Sequence, residues 1–309
     1  MRIYVGVTDG DWYHFLADRP YLSEANFWRP NEEKNFRALK PGEPFFFKTH
    51  HPHNRVVGGG YFQTFERLPL SSAWDIFQEA NGAADEDEMR RKIGRYRKQP
   101  ISQWEDPVIG CILLRDIRFF DPPADPPPNF APNIVQGKTY DLSSDTNADY
   151  FHGLLSRLEG GTSSGEDHTE TWHLDGPALG GPRPVRQRLG QHAFQAVVLN
   201  AYRHQCAITG SRIRPTLQAA HIQPVSEGGQ HRLDNGILLR SDVHTLFDRG
   251  YLGIDPDYRI RVSNRLREEF DTGEEFYRLE GRRVGLPENQ RDYPNRDLLE
   301  WHLREVFLG

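Results

Sequence analysis

A chain of 309 residues is long enough for two domains of ordinary size. A charged fraction of 27%, a mean hydropathy of −0.72 and the lack of any apolar run near bilayer length exclude a helical membrane protein. The net charge of −6 argues against a surface that grips nucleic acid everywhere, though it leaves room for one basic segment. The start, MRIYVGVTDGDWYHF, has no basic stretch followed by a long apolar one, so no signal peptide is expected there. Two cysteines far apart, Cys111 and Cys206, fit reduced thiols in a cytoplasmic protein.

Residues 1–142 are expected to form an α+β domain. IYVGVT alternates and is β-branched, which is a strand pattern. The polar, aromatic stretches DGDWYHFLADRP and EANFWRP follow. NFRALKPGEPFFFKTH and NRVVGGGYFQTF contain two strands joined through a His- and Pro-rich turn, HHPHN, with a tight turn at Pro41 and Gly42 before the first. The run Gly58 to Gly60 marks a bulge or a close backbone approach. SSAWDIFQEANG predicts a helix started by Ser71 or Ser72 and stopped by Gly82. DEDEMRRKIGRYRK predicts another, acidic where the helix dipole is positive and basic where it is negative. VIGCILL and IRFF complete the sheet, and NIVQGKTYDL adds an edge strand.

DPPADPPPNFAP is a stiff, proline-rich strap suited to spacing or wrapping. NADYFHGLLSRLE predicts an amphipathic helix, and GGTSSGEDHTETWHLDGPALGGPRP has linker composition. Residues 143–184 are therefore expected to be a helix and flexible linker, and residues 185–309 a second domain. In that domain VRQRLGQHAFQAVVLNAY predicts a helix with one apolar stripe, YLGIDPDYRIRVS a hairpin around Pro256 and Asp257, and NRDLLEWHLREVF a helix capped by Asn295. Between Gly181 and Gly250 there are nine arginines, four acids and no lysine. This local excess suits a phosphate backbone, or simply a solvated surface.

The most informative stretch runs from Cys206 to Gly250: CAITGSRIRPTLQAAHIQPVSEGGQHRLDNGILLRSDVHTLFDRG. An apolar strand carries His221 at its end, a polar Gly-rich loop follows, and NGILL forms the returning strand. Ser241 stands where an N-cap belongs, so SDVHTLFD predicts a helix with His244 and Asp248 on one face. Strand, loop, strand and helix thus bring His221, Asn235 and His244 together.

The tokens AAHI, NG, LL, DVH and LFDRG, in this order, resemble the HNH nucleases of the AHI type, whose ββα-metal site cuts phosphodiester bonds with one divalent ion. The resemblance covers about 60 residues. It implies that His221 is the general base, that Asn235 braces the loop carrying it, and that His244 binds Mg²⁺ or Mn²⁺, with Asp248 adding a carboxylate. Arg240, Arg249 and Arg214 become phosphate contacts. Many HNH enzymes place Asp or His before the base as a second ligand; here that place holds Ala220, so the ion leans on His244, Asp248, water, phosphate or a nearby group such as Gln218. With only two cysteines, a four-cysteine structural zinc site is not expected.

The N-terminal order of elements, with the phrase NFRALKPGE and a following apolar strand, resembles the PUA-like β-barrels, EVE and ASCH domains among them. That resemblance covers about 120 residues and implies a nucleotide or flipped-base reader. Trp12, Trp28 and Tyr61, with Asp11 and Asn26, are then the pocket candidates, since a flipped base needs aromatic faces and edge partners. Each of these aromatics is also an ordinary core candidate. The combined expectation is a metal-dependent DNA endonuclease, an α+β PUA-like reader followed by a ββα-metal domain, acting on double-stranded DNA that carries a modified cytosine. Cutting both strands would call for a homodimer. The alternative is an RNA- or nucleotide-binding module joined to a nicking or weak HNH domain, which Ala220 favours.

Overall fold

The computed structural model describes residues 1–31, 35–131, 133–142, 147–160 and 190–309. In chain order its elements are β1 (Arg2–Thr8), α1 (Gly10–Ala17), β2 (Glu24–Arg29), β3 (Pro44–Thr49), β4 (Val56–Pro69), α2 (Leu70–Phe77), α3 (Glu86–Arg97), β5 (Val108–Ala124), β6 (Gly137–Asp141) and α4 (Ala148–Glu159). They continue with α5 (Gln191–Ala201), β7 (Leu217–His221), β8 (Gly236–Arg240), α6 (Ser241–Asp248), β9 (Leu252–Ile254), β10 (Ile260–Val262), α7 (Arg265–Phe270), α8 (Glu274–Tyr277) and α9 (Arg296–Glu305). The mixed α+β class expected from the sequence is what the chain forms. Most of the expected linker lies outside the described residues.

The chain divides into two compact units. Of the described residues, those within 1–23, 37–62 and 116–160 form the first, and those within 24–36, 63–115 and 190–309 the second. In the first unit β1 lies between β3, in parallel, and β6, antiparallel, and β4 pairs with β3. Ile3, Val5, Phe46, Val56 and Phe120 pack there against Phe151, Leu154 and Leu158 of α4. Of the two readings of the glycine run, close approach holds at Gly58, and the irregularity in the ladder falls beside the run, at Val57. The register shifts between Phe47 and Lys48, and a Cβ on Gly58 would stand 2.3 Å from the Arg118 carbonyl oxygen. GDWYHFLA, a stretch with no clear periodicity, is a helix whose N-terminus is capped by the Asp9 carboxylate, which accepts from the Trp12 N–H at 2.6 Å.

In the second unit β2 pairs antiparallel with the first part of β5. VIGCILL and IRFF, expected as two strands, are one strand of 17 residues. The start expected for α2 also needs correction: Pro69 precedes it with no side-chain cap, and Ser71 turns its hydroxyl to Asp106 at 2.8 Å. The left-handed Gly82 ends the short 3₁₀ turn that follows α2, as expected. The remainder of the unit is built on the antiparallel pair β7–β8, flanked by α5 and α6, then the hairpin β9–β10 and the Asn295-capped α9.

α9 is fastened to α6 by His302. Its ring stacks on Phe247 at 3.8 Å and 11°, and its Nε2–H donates to the Phe247 carbonyl at 3.1 Å. Burial pushes this imidazole down to about 4, the bond to Phe247 opposing. The unfolded chain therefore takes up this proton first as pH falls, and the stability present above about 6.5 is lost toward 4. A difference of about 2 kcal/mol between pH 7 and pH 5 is expected from this one residue. Urea unfolding of the wild type and His302→Gln at the two pH values checks it. Equal pH dependence in both proteins would exonerate His302.

Candidate active site

The site grows from the strand pair. His221 ends β7 directly opposite Gly236, the first residue of β8. Between them runs a loop whose two ends are tied by one side chain. Asn235, 2% exposed, accepts from the Gln223 N–H through Oδ1 and donates through Nδ2 to the carbonyls of Gln223 and Gln230, each bond 2.9 Å. Its own carbonyl accepts from Ile222 N–H at 2.9 Å. An amide is the one uncharged side-chain group that offers an acceptor and two donors from a single plane. Aspartate would lose both donors.

The His221 ring is held on two sides. Phe194 of α5 stacks on it with centroids 4.1 Å apart and planes 11° apart. His231, from the loop, brings Nδ1 to 3.0 Å from His221 Nε2. Gly236 lets α5 come this close, because a Cβ there would stand 2.5 Å from Val198 and 2.9 Å from Phe194. Burial pushes the His221 imidazole down to about 4, assisted by the charges of His231 and His244. At neutral pH it is therefore an unprotonated ring with a lone pair to offer.

Ser241 is the first residue of α6 and Arg240 its cap position, so the expected Ser241 cap is displaced by one residue and no side chain caps the helix. The face of α6 is as expected. His244 Nε2 lies 3.3 Å from Asp248 Oδ2, while His244 Nδ1 lies 2.8 Å from Gln218 Oε1. An amide oxygen can only accept, so Nδ1 donates to Gln218 and Nε2 is the ring nitrogen that faces the carboxylate. An imidazole nitrogen and a carboxylate oxygen converging in this way suit a divalent cation that keeps several waters. Among the described residues no third His, Cys, Asp or Glu joins them. Ala220 is completely buried, so the ligand position common in HNH enzymes faces the interior here, and Gln218 braces His244 from two residues earlier.

The arginines divide. Arg249 is exposed at the end of α6. Arg240 is held by Asp242 through two bonds of 2.6 Å. Arg214, expected at a phosphate, is occupied elsewhere: it donates to Ser71 Oγ at 2.9 Å and Ser72 Oγ at 2.8 Å, and pairs with the Asp106 carboxylate. Arg214→Ala should lower unfolding free energy by about 1.5–3 kcal/mol and leave the salt slope of DNA binding unchanged. A slope smaller by about one, with an unchanged melting midpoint, would make it a phosphate contact after all.

The expected base pocket looks different from its sequence picture. In the first unit Trp12 is 3% exposed, edge-on to Phe47 at 5.1 Å; Asp11 is exposed and Tyr61 half-buried. In the second unit Trp28 is 9% exposed and donates Nε1–H to the Asn81 carbonyl at 3.0 Å. Asn26 is fully buried, with Nδ2 bonded to Asn81 Oδ1 at 2.9 Å. Trp12 and Trp28, the two tryptophans among the pocket candidates, stand on α1 and β2 and are buried at 3% and 9% exposure, so neither presents its ring to solvent. His231 and Phe194 are the residues that sequence reasoning missed. His231 sits in an aperiodic loop, and its only signal is its position four residues before Asn235.

Residues 206–255 match the HNH endonuclease family, so the chain carries an HNH endonuclease domain. No curated protein matches the sequence. Among solved structures, ASCH from Zymomonas mobilis is similar at 11% identity and a TM-score of 0.35, over 49% of this chain and 94% of that one. A modification-dependent restriction endonuclease, TagI, is similar at 15% identity and a TM-score of 0.28, over 98% of this chain and 81% of that one.

Proposed function

We propose that this chain, a nuclease through its HNH domain, hydrolyses DNA phosphodiester bonds with one divalent ion and selects DNA carrying a modified cytosine through residues 1–142. The observation that carries the catalytic half is the pairing of an unprotonated, stacked His221 with a separate His244–Asp248 pair on α6. His221 removes a proton from the attacking water, which becomes the new phosphate oxygen as the bond to the leaving oxygen breaks. Asn235 keeps the loop behind His221 in place, and His244 with Asp248 would hold Mg²⁺ or Mn²⁺. When bound, such an ion stabilises the anionic phosphate and the departing oxygen. A single site cuts one strand, so two copies of the chain would cut a duplex.

Selection rests on the sequence resemblance of the N-terminal region to PUA-like readers. With Trp12, Trp28 and Asn26 packed inward, Tyr61 and Asp11 are the pocket candidates that remain accessible. Gel-shift titrations of full-length His221→Ala with 5-methylcytosine, 5-hydroxymethylcytosine and plain duplexes, at one salt concentration, test it. A preference of roughly tenfold or more for a modified duplex is expected, the scale of one base-stacking contact. Equal affinity for all three would remove the reader.

A further inference from the structure

We infer that His231 is a positioning residue that holds His221 in the one neutral tautomer able to accept a proton from water. The inference rests on the reading of His221 as the general base. It starts from His221 Nε2 and His231 Nδ1 standing 3.0 Å apart, which requires one of them to donate and the other to accept. If His231 donates, His221 accepts at Nε2 and carries its own hydrogen on Nδ1, so neither nitrogen is left to act as a base. If His221 donates from Nε2, its Nδ1 keeps a lone pair. Only the second arrangement serves hydrolysis, and it requires His231 Nδ1 to be unprotonated.

The surroundings keep His231 in its neutral form, the form that has an acceptor nitrogen to offer. His231 is held below the ordinary histidine range by burial, opposed by the Glu24 carboxylate. Glu24 is itself engaged: its Oε2 lies 3.1 Å from His192 Nδ1, and its Oε1 accepts from Gln63 at 3.0 Å. The groups facing the His221–His231 pair are therefore the uncharged Phe194 on α5, His244 on α6 and Glu24 on β2. When His221 takes the water's proton on Nδ1 it becomes an imidazolium, and its Nε2–H then donates more strongly to His231. The step breaks the water O–H bond and the ester P–O bond and forms the His221 N–H bond and the new P–O bond; the leaving oxygen departs with the electron pair of its ester bond and is protonated from solvent, and no proton passes between the two histidines.

Two measurements on the full chain decide it. In ¹⁵N-histidine spectra at pH 7.5 without added metal, with the His221 resonances assigned by their loss in His221→Ala, His221 should carry its hydrogen on Nε2. A hydrogen on Nδ1 overturns the inference. In single-turnover DNA cleavage, His231→Ala should lose about 10- to 100-fold in rate with little change in KM, as outer-shell partners of a reacting group typically do. His231→Asn, whose Oδ1 can accept in place of Nδ1, should recover most of the loss. In both variants the acid limb of the pH profile should move upward, because His231, once it is itself protonated at acid pH, opposes a second positive charge on His221 and can no longer accept from it. A wild-type rate and profile in His231→Ala would overturn the positioning role, as would equal losses in both variants. The two readings fail separately: activity surviving in His221→Ala sinks the base assignment, whereas an inactive His221→Ala beside a wild-type His231→Ala sinks only this inference.

Discussion

His221→Ala should reduce DNA cleavage by roughly 10²–10⁴-fold, the usual cost of removing a general base, while DNA affinity stays within about twofold, because backbone affinity comes from cationic contacts. The ring makes a stack with Phe194 and a bond to His231, so its removal also unpacks one side of the loop. Thermal melting therefore accompanies the assay. A variant that keeps more than about a tenth of the wild-type rate in a folded protein would remove His221 from the chemistry. The depressed pKa adds a second signature. His221 stays unprotonated until the pH approaches 4, so loss of this base does not limit the rate near pH 6 in the wild type.

Asn235→Ala is the largest structural perturbation expected in the domain. It removes three side-chain hydrogen bonds from a site that is 2% exposed and takes away the partner of the Gln223 N–H and of the Gln223 carbonyl, while the Gln230 carbonyl keeps the Arg232 N–H at 2.8 Å. At about 1–3 kcal/mol for each buried group left unsatisfied, a loss of several kcal/mol follows, together with loss of the loop that carries His231. Asn235→Asp keeps Oδ1 for Gln223 N–H but sets a carboxylate against two carbonyl oxygens, so it should rescue little. Denaturant unfolding and cleavage should fall together in both variants. Near-wild-type stability in Asn235→Ala would mean that the loop is held by its backbone alone.

The candidate site was legible because its residues are tied to short, strongly patterned elements. A strand ending in His221, a return strand after Asn235 and a helix with His244 and Asp248 four apart follow from local periodicity. The role of Ala220 became clear only in three dimensions, where it points into the core and Gln218 reaches His244 instead. His231 and Phe194 were invisible because their importance lies in meeting His221 across 10 and 27 residues of chain, which no periodicity records. The aromatic pocket was misplaced for a related reason. Trp12 and Trp28 look like loop residues beside polar neighbours, but the Asp9 cap turns one stretch into a helix and pairing with β5 makes the other a strand. Arg214 likewise reads as a free cation until Asp106, 108 residues away in sequence, is seen beside it.

The most direct test of the central claim is digestion of supercoiled plasmid, with and without modified cytosine, by the full-length protein in Mg²⁺, in Mn²⁺ and in EDTA. Cleavage with either ion and none in EDTA is the expected result, with His244→Ala requiring a higher metal concentration for the same rate. Undiminished cleavage in EDTA, or none with any ion on either plasmid, would contradict a metal-dependent HNH nuclease.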